Sequence, residues 1–567
     1  MAKPSNQQLK VENTKPPAWP LLVVLLAAVF TMGRVVSNDF LWWDDNVNIH
    51  HNPDMNPPTF ESVIKYWWTP SQALYIPVTY SIWGVLAWMA RLRVADDMGI
   101  QLNPMVFHAA SVLVHAATAA LVFALLCELR IKRWAAMLGG VLFAVHPVQV
   151  ETVAWAAGLK DLLCGFFAIL SLLLYVRYRE SGEQKTAKWF YIGAIAAFVL
   201  GMLSKPTAMV TPAMAGVIDL WLLRKPVKKV ALALWPWFVL SMGCMVVTRI
   251  VQQAQVLGVP WHDRPLVAGF SVAFYLYKLI WPAHLGFDYG WLPQRVLELR
   301  WIWVISAIPL LLGVILWILR RRYPYLWAGF ALFVIGMLPV AGFVPFLFQF
   351  YSTVSDHYLY LPMVGVAMTG AWGVSKITSP AVVGVCGVVL AVLSVRSIAQ
   401  AGYWFDDFVL CNHTIEINPG SSAAHNNLGV LLTRQGKLLE AARHLKKSIE
   451  LRPQSNLSRA NYVWALAGLN RIDEAIAEIE EIIRINPTLP PQLRVNMVDE
   501  HYYLAMALMN LHRYAEAIPH FEAALRLKPD HPTAATELAK ARQKLAESTT
   551  TRPATTAPDH KLPIPTG

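Results

Sequence analysis

The chain has 567 residues, 56% of them apolar and 15% charged, with a mean hydropathy of +0.41. That balance excludes a soluble globular protein and a disordered one, and the length exceeds a single domain. The net charge of +12 does not argue for nucleic acid, because much of the excess lies in short clusters between long apolar runs: Arg130/Lys132/Arg133, Arg177/Arg179, Arg224/Lys225/Lys228/Lys229 and Arg320/Arg321/Arg322. Clusters of that kind anchor the cytoplasmic ends of membrane spans. Of the five cysteines, Cys127, Cys164, Cys244 and Cys386 lie in apolar segments and Cys411 stands alone; without a CxxC there is no disulfide or zinc framework.

Residues 1–18 read as a polar cytoplasmic tail carrying Lys3, Lys10 and Lys15. The apolar run that follows has no small-residue cleavage pattern behind it and reads as an uncleaved anchor. A span needs ~20 apolar residues. Spans are expected near 19–37, 105–128, 134–150, 160–177, 188–204, 208–223, 230–250, 301–319, 325–345, 358–375 and 379–397, eleven in all. Starting inside, this count puts every basic cluster inside and the C-terminus outside. The runs 74–90 and 266–282, rich in Trp and Tyr, would upset that parity if either crossed alone, so they read as helices in the outer interface. The outer face then collects residues 38–104, 146–160, 204–207, 251–300 and 346–357.

From about residue 400 apolar positions recur at helical spacing among charges. Ala441, Ala475 and Ala517 each stand twelve residues before a proline, Pro453, Pro487 and Pro529, with offsets of 34 and then 42 residues. Asn427-Leu428-Gly429 and Phe521 complete the pattern of a tetratricopeptide repeat, and about eight extra residues sit near 488–497. The expected organisation is a membrane unit over 19–399 and a repeat unit over 400–546. The latter has about three full repeats, a partial first one over 403–419 and a capping helix over 531–546. The Thr- and Pro-rich end, 547–567, lacks the apolar residues to pack and reads as disordered.

The polar residues without an anchoring role gather outside. Asp44 and Asp45 follow Trp42-Trp43 where the chain leaves the first span; a carboxylate there suits proton transfer from a hydroxyl, and an Asx-rich turn is the alternative, since Asn46, Asn48, Asn52 and Asp54 follow. His146 and Glu151 lie at the outer end of a span, where an ionisable group is costly unless it works. Lys160 and Asp161 open the next span as a structural pair or a ligand site. Lys205 ends another, where a phosphate would need a cation and snorkelling is the rival. His357 and Tyr358 sit in Asp356-His357-Tyr358, and Arg249, Arg264 and Asp288 are further candidates in the outer loops. There is no Walker loop, GxSxG or HExxH, and no room for a doubly wound nucleotide-sugar domain, so a sugar donor would be lipid-borne.

The order of these motifs resembles one family. An acid pair in the first outer loop is followed by Tyr75-x-Pro77-x-Thr79, His108 and His115, HPVQVETVAW from His146, Lys160-Asp161, SKP at 204–206 and SDHYLYLP at 355–362. Tyr403-Trp404 then leads into the repeats. Together they resemble the GT-C superfamily of multi-span glycosyltransferases, in particular the branch with C-terminal tetratricopeptide repeats, whose animal members are protein O-mannosyltransferases using a dolichyl-phosphate sugar.

The resemblance implies an all-α fold, a polytopic helical bundle followed by an α-solenoid. It implies an inverting transfer, by analogy of mannose, from a polyprenyl phosphate to a hydroxyl acceptor, with Ser/Thr of a protein foremost. Asp44 or Asp45 maps onto the base, with Asp45 favoured, and Glu151 onto a second catalytic acid. His146, Lys160, Lys205, His357 and Tyr358 map onto the donor phosphate site, and a divalent cation, Mg or Mn, would fall to Asp44 and Glu151. The implied partners are the bilayer, the lipid-linked sugar and a protein or peptide held by the repeats, with no nucleic acid. The implied location is a bacterial plasma membrane with the site and the repeats on the periplasmic side. Leu159 and His357 stand where relatives tend to carry a permanent cation. They favour the alternative of an inactive, membrane-anchored scaffold. A lipid-linked or cell-envelope glycan is the other alternative acceptor.

Overall fold

The computed structural model describes residues 17–550 apart from 97–98, 183, 253–258, 378, 486–497, 499–500, 503, 507, 510–511 and 532. The extra residues near 488–497, all but residues 17 and 18 of the N-terminal tail and the chain end from 551 lie outside the described residues. Among those described the fold is helical throughout; the only bridges are three isolated ones between residues 55 and 102.

Seven helices are long and apolar enough to cross a membrane: Trp19–Ser37, Pro104–Glu128, Ala156–Glu180, Gln184–Ser204, Val227–Val251, Ile302–Leu319 and Pro380–Trp404. An eighth crossing arises if Arg133–Val145 and Pro147–Ala154, bent by 51° at His146, count as one. Proline is the bending residue, because it has no N–H to continue the ladder. The same property makes Pro20, Pro77, Pro104, Pro324 and Pro380 good first-turn residues of their helices. The remaining three expected spans form shorter pieces. Pro324–Val340 and Met363–Ser375 are apolar but short, and 208–223 folds as a 3₁₀ turn, an α-helix and a π turn over Pro206–Val210, Thr211–Val217 and Ile218–Leu222. Neither Pro77–Met89 nor Arg264–Ile280 is among the span-length helices.

One end of the bundle is tied by ion pairs. Arg177 Nε lies 2.8 Å from Glu128 Oε1, Arg130 Nη2 2.6 Å from Glu180 Oε2, Arg179 Nε 2.9 Å from Asp219 Oδ2 and Lys225 Nζ 3.4 Å from Glu180 Oε1. Three of the basic clusters therefore share one end, as their charge had suggested.

At the other end the chain leaves Pro380–Trp404 and enters a stack of amphipathic helices, Asp407–Ile417, Ser422–Arg434, Leu438–Leu451, Asn456–Gly468, Ile472–Ile485, Tyr514–Leu527 and Ala534–Thr550. The repeat residues are small because the helices of a pair touch closely. Ala441, Ala475 and Ala517 are fully buried. A Cβ on Gly429 would stand 2.5 Å from Leu445 Cγ. Ser421 and Ser455 cap two units, their hydroxyls accepting from the Ala424 and Ser458 amides at 3.2 Å.

Candidate active site

A cavity of about 700 Å³ lies between the end of the bundle opposite the ion pairs and the first repeats. From the bundle side it is lined by Asp44, Lys160, Lys205, Arg249, His357 and Tyr358, and from the repeat side by Asn426, Asn427, Arg452 and Ser455, with Met209, Met245, Val340 and Leu347 supplying apolar wall. Six of the residues singled out in the sequence thus meet around one space.

The first long loop, residues 38–103, reaches it through a tightly held turn. The Trp42 amide donates to Asp407 Oδ1 at 2.7 Å, and Trp155 Nε1 donates to the Trp43 carbonyl at 2.7 Å. Asp45 takes the Leu41 amide on Oδ2 at 3.0 Å and the Ala157 amide on Oδ1 at 2.7 Å. Its side chain is fully buried, and burial pushes its carboxyl up to about 8. Asp44 between these anchors adopts φ +66°, a left-handed conformation that Asp tolerates better than most residues. The reversal turns its side chain, half exposed, into the cavity. The two acids therefore do opposite things: Asp45 locks the turn, and Asp44 is presented by it. Both oxygens of Asp45, the acid the sequence reading favoured as the base, are engaged, and it does not line the cavity.

The cations are held by geometry on the second wall. Lys160 Nζ lies 3.4 Å from Asp44 Oδ2 and 4.5 Å from the centre of the Trp155 ring. Lys205 Nζ donates to Asp161 Oδ1 at 2.6 Å and lies 5.7 Å from the Tyr358 ring. Both pairs are largely buried at the lysine end. Asp161 is thus the counter-ion that fixes Lys205. Leu159, 1% exposed, packs in the core and adds no charge.

Glu151 serves a different place. It accepts from Ser355 Oγ at 2.8 Å and from the Asp356 amide at 2.9 Å, and its Oε1 stands 2.5 Å from His357 Nδ1. It does not line the cavity; it orders the turn that carries His357 and Tyr358. Burial, reinforced by Lys205, pushes His357 down to about 3, so the ring carries no charge of its own at neutral pH. His146 also lies away from the cavity, its Nε2 3.2 Å from the Leu279 carbonyl and its Nδ1 facing the Val148 amide at 3.4 Å. Arg264 caps backbone instead, reaching the Val259 and Phe343 carbonyls at 3.4 Å. Asp288 ties the repeats to the bundle by accepting from Ser421 Oγ at 2.5 Å. His146, Glu151 and Arg264, singled out in the sequence as site residues, do not line this cavity.

The donor set does not suit a divalent cation. Glu151 already satisfies three donors, Asp44 faces an ammonium, and among the described residues no group of three His, Cys, Asp or Glu side chains comes together. Arg452, Asn426 and Asn427 were missed by sequence reading. Arg452 immediately precedes the repeat proline and lies 5.6 Å from the Phe350 and Tyr351 rings. No spacing in the chain links it to the first loop.

Residues 410–443 and 498–531 match the tetratricopeptide repeat. Over 518 residues the chain is 26% identical to the Homo sapiens protein O-mannosyl-transferase TMTC4, covering 76% of this chain and 66% of that protein. The Mus musculus protein O-mannosyl-transferase TMTC3 is 23% identical, covering 83% of this chain and 55% of that protein. For the Caenorhabditis elegans protein O-mannosyl-transferase F38B6.6 the figures are 22%, 76% and 63%. The chain thus spans between about half and two thirds of the length of these relatives. A solved structure, ArnT from Cupriavidus metallidurans bound to undecaprenyl phosphate, aligns with 84% of this chain and 81% of its own at 11% identity, but the TM-score of 0.33 is too low to carry an argument. The chain is a helical membrane protein with C-terminal tetratricopeptide repeats, homologous over most of its length to proteins named protein O-mannosyl-transferase.

Proposed function

We propose that the protein is a membrane glycosyltransferase that moves a sugar, by analogy mannose, from a polyprenyl-phosphate donor to a hydroxyl acceptor, with Ser or Thr of a protein foremost, on the outer side of a bacterial plasma membrane. The observation that carries this reading is the meeting of one available carboxylate, Asp44, with the cations of Lys160 and Lys205 in a single cavity. Kinship to proteins bearing the mannosyltransferase name supports the sugar and the acceptor class.

In this reading Asp44 is the base. It accepts the proton of the acceptor hydroxyl as that oxygen bonds to the anomeric carbon. The bond from that carbon to the phosphate oxygen breaks, and the electron pair leaves on the polyprenyl phosphate. Lys160 and Lys205 offset the charge that develops there, as fixed cations in a poorly solvated site do. Arg249, at the end of Val227–Val251 beside Met245, meets the phosphate or its lipid. A single displacement of this kind inverts the anomeric centre. The Asn426, Asn427 and Arg452 wall takes the acceptor.

The test is transfer from radiolabelled polyprenyl-phosphate mannose to hydroxyl-bearing peptides in membranes containing the protein. Wild type labels peptide, and Asp44→Asn lowers the rate by about 10²- to 10⁴-fold, the contribution of a positioned base. Label in envelope glycan and none in peptide changes the acceptor. No transfer to either leaves the scaffold reading in its place, and an Asp44→Asn rate equal to wild type removes Asp44 as the base.

A further inference from the structure

The repeats touch the turn that presents Asp44, and they do so at two chemically different points. Asp407, in the first turn of Asp407–Ile417, receives the Trp42 amide at 2.7 Å. Arg434, at the end of Ser422–Arg434, places its guanidinium 3.9 Å from the centre of the Trp42 ring. A third link is main-chain: the Asp39 amide donates to the Phe405 carbonyl at 2.9 Å. The bundle supplies the other anchors, Trp155 on the Trp43 carbonyl and the Ala157 amide on Asp45.

We infer that Asp407 and Arg434 are positioning residues for the transfer reaction, so that the first repeat helices form part of the support of the Asp44 turn, in addition to any role in docking an acceptor. The inference rests on the reading of Asp44 as the base. Its physical reason is that Asp44 holds a left-handed backbone conformation, which persists only when its surroundings over-determine it. Two residues before Asp44, the main chain has a hydrogen bond to a carboxylate from 365 residues away. The arginine on the indole face holds the same residue from its side chain. Trp42 itself lines the cavity, so loss of either contact shifts a wall of the site as well as the base. Ser421 on Asp288 docks the same unit at a second place, so the repeat unit is held against the bundle beside the turn as well as at it.

Hydrogen–deuterium exchange on the full chain in nanodiscs, paired with transfer kinetics, tests this. In wild type a peptide covering 41–46 exchanges slowly. Asp407→Ala speeds exchange there by about 10-fold or more while peptides from Ala156–Glu180 stay at the wild-type rate. Asp407→Asn, whose amide oxygen still accepts the Trp42 N–H, stays near wild type. With a short hydroxyl acceptor that does not reach the repeats, Asp407→Ala lowers kcat by about 10- to 100-fold at unchanged donor KM, the cost of a misplaced group, and Asp407→Asn restores most of it.

Unchanged exchange over 41–46 in Asp407→Ala overturns the inference, as does an effect confined to the KM of a protein acceptor. If Asp407→Ala fails to fold, Arg434→Met carries the same comparison. If wild type transfers no sugar, the glycosyltransferase reading fails, and the exchange arm still decides whether the repeats hold the turn.

Discussion

Glu151 Oε1 and His357 Nδ1 lie 2.5 Å apart, and at that distance one proton sits between a carboxylate and an imidazole nitrogen. Ser355 Oγ donates to the same oxygen, and the Asp356 amide donates to the other. Glu151 thereby holds a turn that presents His357 and Tyr358 to the cavity while staying out of the cavity itself. Glu151→Gln loses the shared proton and leaves the turn under-bonded. The expected cost is about 1–3 kcal/mol of stability, with a partial loss of transfer. Thermal unfolding in detergent and the transfer assay, run together, check it. A variant as stable as wild type but devoid of activity would move Glu151 back among the catalytic acids.

The neighbouring acids are expected to separate cleanly. Asp44→Asn leaves the fold and its melting temperature near wild type, because the side chain is half exposed and its one ion pair is a loose 3.4 Å. Asp45→Asn brings an amide NH₂ against one of two backbone donors and destabilises by about 1–3 kcal/mol. Melting temperature set against transfer rate for both variants is the measurement. The reverse pattern, a stable inactive Asp45→Asn, would make Asp45 the base after all.

Lys205 and Asp161 form a pair whose side chains are 11% and 8% exposed. Removing one partner strands a buried charge. Lys205→Met is therefore expected to cost about 3–5 kcal/mol, and the double variant Lys205→Met/Asp161→Asn to recover part of that loss. A double-mutant cycle on melting temperature reads the coupling. Lys160→Met, whose partner Asp44 stays solvated, is expected to affect the donor KM more than stability.

Above neutrality, stability should fall with rising pH. Burial holds Asp45 up to about 8 and Asp407 up to about 7, whereas both titrate near about 3.9 when unfolded. Across that window the folded state keeps protons that the unfolded state has released. The stabilising contribution is complete below the unfolded value and is lost as pH climbs through the folded ones. Above the range in which His50 and His357, both lowered to about 3 by burial, regain stability with rising pH, melting temperature is expected to decline between about pH 7 and about pH 9, and Asp45→Asn to flatten that slope. A curve that Asp45→Asn leaves unchanged would refute the assignment.

What could be read along the chain was whatever depends on neighbours in sequence. Apolar runs of span length and the recurrence of Ala441, Ala475 and Ala517 are local patterns, and most appear as a helix or a packed pair. The length rule was less sure where the chain breaks: 208–223 looks like a span and folds as three short pieces. The ordered motifs named residues that the fold brings together, because Asp44, Lys160, Lys205, His357 and Tyr358 line one cavity. They did not sort the residues within it. His146 and Glu151 stand in a motif with the same weight as Lys160, yet they do not line the cavity.

By itself the sequence determined the class of the protein, its two kinds of helical architecture, the end of the bundle where its basic clusters gather and a short set of polar residues worth watching. Those follow from hydrophobicity and periodicity, which act over a few residues. Only the tertiary structure decided which of two adjacent aspartates faces the cavity, that Lys205 is fixed by Asp161, and that the first repeat helices grip Trp42. Each of these depends on a partner tens to hundreds of residues away, and on a left-handed backbone at Asp44 that no side-chain pattern announces.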